Sequence, residues 1–220
     1  MAPAANGVDF LGYIVRRDYL LVRRRVVGHL RERLRDFEQR LVTAVEGGLR
    51  YAFDWPVLDE LAAVLASYLG HFKVAAAWRL WAGLRRRFPF LAQYFAFDPV
   101  GLRLVRTYPV PAGFLRAREQ YAWFRRRYPA DVLFFQVGGF CEFYAGEDRA
   151  VASELGLRPM GRNRRGAAFG FPCTRTEEFL RQLRDRQRPV LLIGETPVAH
   201  ARIRARVPVA RYAWSGSSAG

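Results

Sequence analysis

Lysine is almost absent from this 220-residue chain, which has one, Lys73. Cysteine and histidine are nearly as scarce, with Cys141 and Cys173 against His29, His71 and His200. Two cysteines are too few for a disulfide framework, and no zinc spacing can be assembled from so scattered a set. The two thiols are expected to be free in a reducing compartment. Long apolar runs are missing too. Runs such as Val132–Phe135 and Val190–Ile193 fall far short of the roughly 20 residues that span a bilayer. Met1–Gly7 has no charged start or apolar core of a secretory leader. A cytoplasmic protein without a membrane partner is therefore expected.

Catalytic signatures are equally thin. The chain has no G-x-x-x-x-G-K-[ST] loop for nucleotide phosphates. It contains no Asp-Asp pair of the kind a polymerase palm uses to hold two metal ions. A cysteine nucleophile would need a base, and no histidine lies near Cys141 or Cys173 in sequence. The expectation is a non-enzyme with no cofactor and no metal.

What the chain has in excess is arginine. Lys and Arg number 36 against 20 Asp and Glu, a formal charge of +16 and a pI near 11.0. A GC-rich genome would explain arginine in place of lysine but not the excess of positive charge. Such a chain repels itself and attracts polyanions, nucleic acid being the usual one. Residues 1–110 carry 17 basic and 10 acidic side chains and the remainder 19 and 10, so both halves share the charge.

Half of the residues are apolar, enough for a packed core. Residues 8–15 and 19–22 have strand composition and suggest a short hairpin. Leu30, Leu34, Phe37, Leu41 and Val45 then recur at steps of three and four, the stripe of an amphipathic helix closed by Gly47-Gly48. Arg31, Glu32, Arg33, Arg35 and Arg40 fall on its opposite face, which solvation alone would explain. Asp54-Trp55-Pro56 opens a second helix carrying Leu58, Leu61, Leu65 and Leu69, and a third runs from near Val74 to Leu84. Proline and glycine accumulate between Tyr94 and Pro111, which marks a domain boundary.

Beyond it the pattern alternates. A helix over 114–127 leads to an apolar strand over 131–137, a Gly138-Gly139 turn and a second strand over 140–144. A helix over 147–155 follows, then an Arg-bearing loop over 161–166. Thr174 with Glu177 forms a capping box for a helix with Phe179, Leu180 and Leu183. A buried strand over 189–195 and an edge strand over 203–209 complete a mixed sheet with helices packed on it.

Four stretches of this half resemble the first domain of the MutS mismatch-repair family: the Tyr-bearing helix before a proline over Tyr121–Pro129, Val137-Gly138-Gly139-Phe140-Cys141-Glu142-Phe143-Tyr144, the turn Phe169-Gly170-Phe171-Pro172-Cys173, and Val190-Leu191-Leu192-Ile193-Gly194-Glu195-Thr196. Order and spacing agree over about 114–212. The resemblance implies a mismatch-recognition domain in which Phe140 and Glu142 form the Phe-x-Glu reading pair. An aromatic ring can wedge into a minor groove and stack on a base whose pairing is already weak. A carboxyl beside it would hydrogen-bond the displaced base, and as an anion near phosphates it would favour protonation or a close donor. Gly138 and Gly139 would let the backbone approach the duplex. Strand alternation puts Phe140 and Glu142 on one face. Gly139 and Cys141 stand where the family has an acidic residue and a tyrosine. The sequence ends where that family's connector, clamp and ATPase domains follow, so ATP-driven repair is not expected.

The first half is similar to the thumb of group II intron and diversity-generating retroelement reverse transcriptases. The matching stretches are Val8-Asp9-Phe10-Leu11-Gly12-Tyr13, Arg23-Arg24-Arg25-Val26-Val27 and Ser67-Tyr68-Leu69-Gly70-His71-Phe72-Lys73. This resemblance implies that Arg23, Arg24, Arg25 and Lys73 contact a duplex backbone. Arg162, Arg164 and Arg165 either add phosphate contacts or form a solvated loop. The fold expected is α+β. A mostly helical segment with a short hairpin (1–110) precedes a mixed-sheet domain like MutS domain I (111–212) and a flexible tail (213–220). The partner expected is nucleic acid, either a DNA duplex or an RNA–DNA hybrid. The setting would be an accessory or C-terminal part of a retroelement reverse transcriptase. A split or degraded polymerase fragment that docks a reverse transcriptase palm subunit is the alternative.

Overall fold

The structure, a computed structural model, describes residues 8–98, 103–108, 114–144, 146, 148–161, 166–200 and 203–215. Its fold is α+β, with helices and a large mixed sheet. Two compact units divide the chain, one of residues 1–42 and 54–107, the other of 43–53 and 108–220.

The first unit begins with an antiparallel three-stranded sheet of β1 (Val8–Phe10), β2 (Tyr13–Val15) and β3 (Leu20–Val22). The stretch expected as one strand over 8–15 is two, because Leu11 and Gly12 both take positive φ and fold it back on itself. Helix α1 (Arg24–Leu41) buries Val27, Leu30, Leu34, Phe37 and Leu41, the face expected from their spacing. Helix α2 (Trp55–Val74) starts as read: the Asp54 carboxylate accepts from the Val57 N–H at 3.3 Å, with Pro56 in the first turn. It ends where Ala76 takes a positive φ, so α3 (Trp78–Arg87) begins later than its apolar pattern suggests. A 3-10 turn over Pro89–Gln93 and the hairpin of β6 (Phe95–Phe97) and β7 (Leu104–Arg106) close this unit.

The second unit is built on a seven-stranded sheet. Its central strands are β8 (Val132–Val137), β9 (Phe140–Phe143), β10 (Phe169–Pro172), β11 (Val190–His200) and β12 (Ile203–Trp214). Two more come from the N-terminal half of the chain, β4 (Val42–Val45) and β5 (Gly48–Ala52). The order is β10-β9-β8-β11-β12-β5-β4, antiparallel except for the parallel pair β8 and β11.

The strands β4 and β5 correct two expectations. The first helix does not run on to Val45, and residues 43–53 belong to the second unit. Val42, Thr43 and Val45 are β-branched and stiff at χ1, which suits a pleated surface better than a helix. Gly47, at φ +76°, turns the hairpin, and Gly48 lies so close to β12 that a Cβ there would meet the Ala213 carbonyl oxygen at 2.2 Å. β5 pairs with Ala210–Trp214 of β12, so the strand is interior over that stretch, which the sequence reading did not anticipate, while residues 203–208, expected within an edge strand, have β11 as their one ladder partner among the described residues. Pro208 has no N–H to donate, and the sheet accommodates it with a register shift at Leu192/Ile193. Residues 213 and 214, expected in the tail, pair with Leu49 and Gly48.

Helices cover both faces of β8 and β9. On one face Val132, Phe134, Cys141, Phe143, Phe169 and Phe171 pack with Val151, Ala152 and Leu155 of the α5 region (α5, Asp148–Glu154) and with Phe179, Leu180 and Leu183 of α6 (Thr176–Asp185). On the other, Tyr121 and Phe124 of α4 (Ala117–Arg127) meet the Phe135 ring at 5.3 and 6.2 Å. The Thr174–Glu177 capping box does not form. A 3-10 turn over Cys173–Arg175 comes first, and Thr176 donates its hydroxyl to the Cys173 carbonyl at 2.7 Å.

Candidate nucleic-acid interface

Phe140 is the first residue of β9, directly after the tight turn at Gly138-Gly139. It pairs with Val137 on one side and Pro172 on the other. At 43 % exposure it is one of the few large apolar side chains of the second unit left in solvent. Gly138 takes φ +61°, and both glycines are exposed, with nothing near the place a Cβ would occupy.

The turn is held from two directions. The Gly138 N–H donates to Glu195 Oε1 at 3.0 Å, and the Cys173 N–H donates to the Gly139 carbonyl at 2.8 Å. Glu195 is in turn fixed by Arg206, whose Nη2 donates to the same carboxylate oxygen at 2.7 Å. Arg206 is 4 % exposed, lies 5.1 Å over the Phe135 ring, and donates through Nε to the Gln136 carbonyl at 2.7 Å. The Gln136 amide reaches the Gly138 carbonyl at 3.0 Å. Gln120 of α4 ties β12 into the same set, accepting from the Arg206 N–H and donating to the Arg204 carbonyl. The ion pair of Arg206 and Glu195 thus serves as the buried prop of an exposed turn. Sequence alone marked Glu195 only as part of a strand motif. Nothing in local sequence separates Arg206 from the other arginines, because its burial depends on three strands meeting.

Glu142 lies on the same strand face as Phe140, as alternation requires, but the two environments differ sharply. Glu142 is 1 % exposed, pairs with Phe135 across β8, and accepts a hydrogen bond from the Tyr144 hydroxyl. Tyr144 touches the ring of Tyr121 on α4 at 5.2 Å. Of the reading pair expected from sequence, the structure presents the ring at the surface and keeps the carboxylate inside.

The backbone-contact candidates fall into separate places. Arg23 precedes α1, and Arg24 and Arg25 open it, both exposed. No acidic residue stands in that first turn, so Arg24 and Arg25 add positive charge at the positive end of the helix dipole. Lys73 is exposed near the end of α2 and lines a shallow groove with Leu69, Gly70, Asp98, Arg103 and Leu104. Arg162, Arg164 and Arg165 lie outside the described residues.

Among the described residues no helix is long and apolar enough to cross a membrane. Residues 116–210 match the family model of MutS domain I, the region that contains the Phe140 turn, Glu195 and Arg206. The hairpin of β4 and β5, which extends the sheet, lies outside the matched stretch. No curated protein matches the chain.

Proposed function

We propose that this chain binds nucleic-acid duplexes and probes them for mispaired or distorted steps with Phe140, without a catalytic step of its own. The observation that carries this reading is an exposed aromatic ring on a braced Gly-Gly turn within the stretch that matches MutS domain I. A ring wedged into a base step must be delivered by a rigid support, or the unstacking it drives is lost to movement of the wedge. The charge of +16 supplies sequence-independent attraction to phosphates. Phe140 is given the reading role, and Glu142 the role of holding β9 through Tyr144. Arg24, Arg25 and Lys73, all exposed, are assigned to the duplex backbone. A setting beside a retroelement reverse transcriptase follows from the thumb-like first half and belongs to the same proposal.

The test is a titration of the full chain against matched and mismatched DNA duplexes and RNA–DNA hybrids, repeated with Phe140→Ala. Stacking on an aromatic ring is worth about 1–3 kcal/mol per base. The variant should therefore bind the mismatched duplex roughly tenfold more weakly and the matched duplex as before. Equal affinity of the parent chain for matched and mismatched duplexes would sink the reading.

A further inference from the structure

The chain has two cysteines, 32 positions apart, and the fold brings them together at the base of the Phe140 turn. Cys141 follows Phe140 on β9, while Cys173 begins the 3-10 turn whose backbone N–H holds the Gly139 carbonyl. Their sulfurs lie 3.8 Å apart, and both thiols are free. The setting is asymmetric. Cys141 is 3 % exposed within the core under α6, whereas Cys173 is only half-buried. We propose that Cys141 and Cys173 form a reversible disulfide on exposure to a peroxide, a covalent strap between β9 and the Cys173–Arg175 turn directly beneath Phe140.

Geometry and chemistry assign each thiol its part. Neighbouring sulfurs on adjacent elements close to bonding distance, about 2.05 Å, through side-chain rotation when the backbones already run side by side. Here they do, because Phe171 pairs with Cys141 and Pro172 with Phe140, which leaves Cys173 just past the ladder. The accessible thiol meets the oxidant. Cys173 attacks hydrogen peroxide to form a sulfenic acid, and one oxygen leaves as water. The Cys141 sulfur then attacks the Cys173 sulfur, its proton leaves with the departing hydroxide as a second water, and the S–S bond closes. Two thiols supply the two electrons that reduce one peroxide to two waters. Burial, reinforced by Cys173 itself, holds the Cys141 thiol well above its ordinary value. That keeps Cys141 from reacting first; what suits it to resolving the sulfenic acid is contact, its sulfur already lying 3.8 Å from that of Cys173. The bond would fix the Gly139 carbonyl and its partner turn covalently, whatever the Phe140 ring touches.

The experiment takes the full chain, reduced, freed of reductant and treated with hydrogen peroxide. The intact mass is then measured, and free thiols are alkylated after denaturation. The expected product is a monomer lighter by two hydrogens in which neither cysteine takes the alkylating label, and dithiothreitol restores both. Under the same treatment Cys173→Ser should leave Cys141 fully alkylatable, since burial shields it. Amide hydrogen exchange of the segment 139–142 should be at least threefold slower in the oxidised chain than in the reduced one. The proposal is overturned if Cys173 gains oxygen while Cys141 still takes the label, if the oxidised product is a disulfide-linked dimer, or if exchange over 139–142 is unchanged. None of these readouts involves nucleic acid, so the strap and the duplex-reading role succeed or fail separately.

Discussion

Two residues apart on one strand face, Phe140 and Glu142 differ from 43 % to 1 % exposure. The pleat fixes that they share a face, but only the place where covering side chains stop decides which of them meets solvent. Two polar groups at the other end of β8, Tyr128 and Asp131, offer tests of how burial acts on a single side chain. Burial pushes the Tyr128 phenol up to about 12, and its hydroxyl has no hydrogen-bond partner among the described residues. A phenol raised in the folded state contributes stability that is intact below its ordinary value near 10 and is lost as pH rises through about 12. Tyr128→Phe should therefore match the parent near neutrality and resist the loss between pH 10 and 12, by up to about 2–3 kcal/mol. Urea unfolding at a series of pH values checks this, and equal alkaline losses in the two proteins would contradict it. Asp131 accepts from Arg211 Nε at 2.9 Å, yet burial outweighs Arg211 and Arg125 and holds its carboxyl above the usual value. Its contribution is complete below the ordinary aspartate value and is lost as pH rises through the raised one. Relative to Asp131→Asn, the parent should gain stability as pH falls from neutrality toward 4. A gain in the opposite direction would mean that the ion pair dominates.

At the scale of elements, the β8–β9 turn depends on an ion pair made by two other strands. Arg206→Ala would leave Glu195, among the described residues, with the 66 % exposed Arg204 at 3.3 Å as its one ion-pair partner and would empty the space over Phe135. Removing one partner of a buried pair costs about 3–5 kcal/mol, and the lower figure suits a carboxylate 13 % exposed. Denaturant unfolding should register that loss. Faster hydrogen exchange at Gly138 should accompany it, since this amide loses its fixed acceptor, and unchanged exchange there would dissociate the turn from the pair. The β4–β5 hairpin offers a steric test. Gly48→Ala places a Cβ 2.2 Å from the Ala213 oxygen and 2.8 Å from the Trp214 Cα. Both obstacles are backbone, so relief requires moving strands, at a cost of about 1–3 kcal/mol or more. A melting temperature equal to the parent's would show that β5 is not packed this way. The helices were largely legible because Leu30, Leu34 and Phe37 on α1, and Asp54 with Pro56 at the start of α2, carry their signals locally. Residues 42–45 read locally as helix because Val45 extends the α1 stripe four residues beyond Leu41, and the partner that makes them a strand lies across a turn.

For the molecule as a whole, the chain leaves the first unit for residues 43–53, returns to it, and leaves again after Thr107. A boundary drawn once along the sequence near 110 therefore severs the seven-stranded sheet. A fragment of residues 111–220 would lose β4 and β5 and unpair residues 210–214 of β12, leaving an open edge and a template for aggregation. It should sediment as oligomers under conditions where the full chain does not, and a well-behaved monomeric fragment would argue that the hairpin is dispensable. What the sequence determined by itself is whatever local pattern and composition encode: an α+β fold, a basic chain, amphipathic helices, a Gly-Gly turn before Phe140, and the stretch resembling MutS domain I. What only tertiary structure decided is long-range pairing: the recruitment of 43–53 into a distant sheet, the burial of Glu142 beside an exposed Phe140, the Arg206 prop and the meeting of Cys141 with Cys173. Each of these depends on which strand lies next to which, and strand pairing joins residues whose separation along the chain leaves no periodic trace.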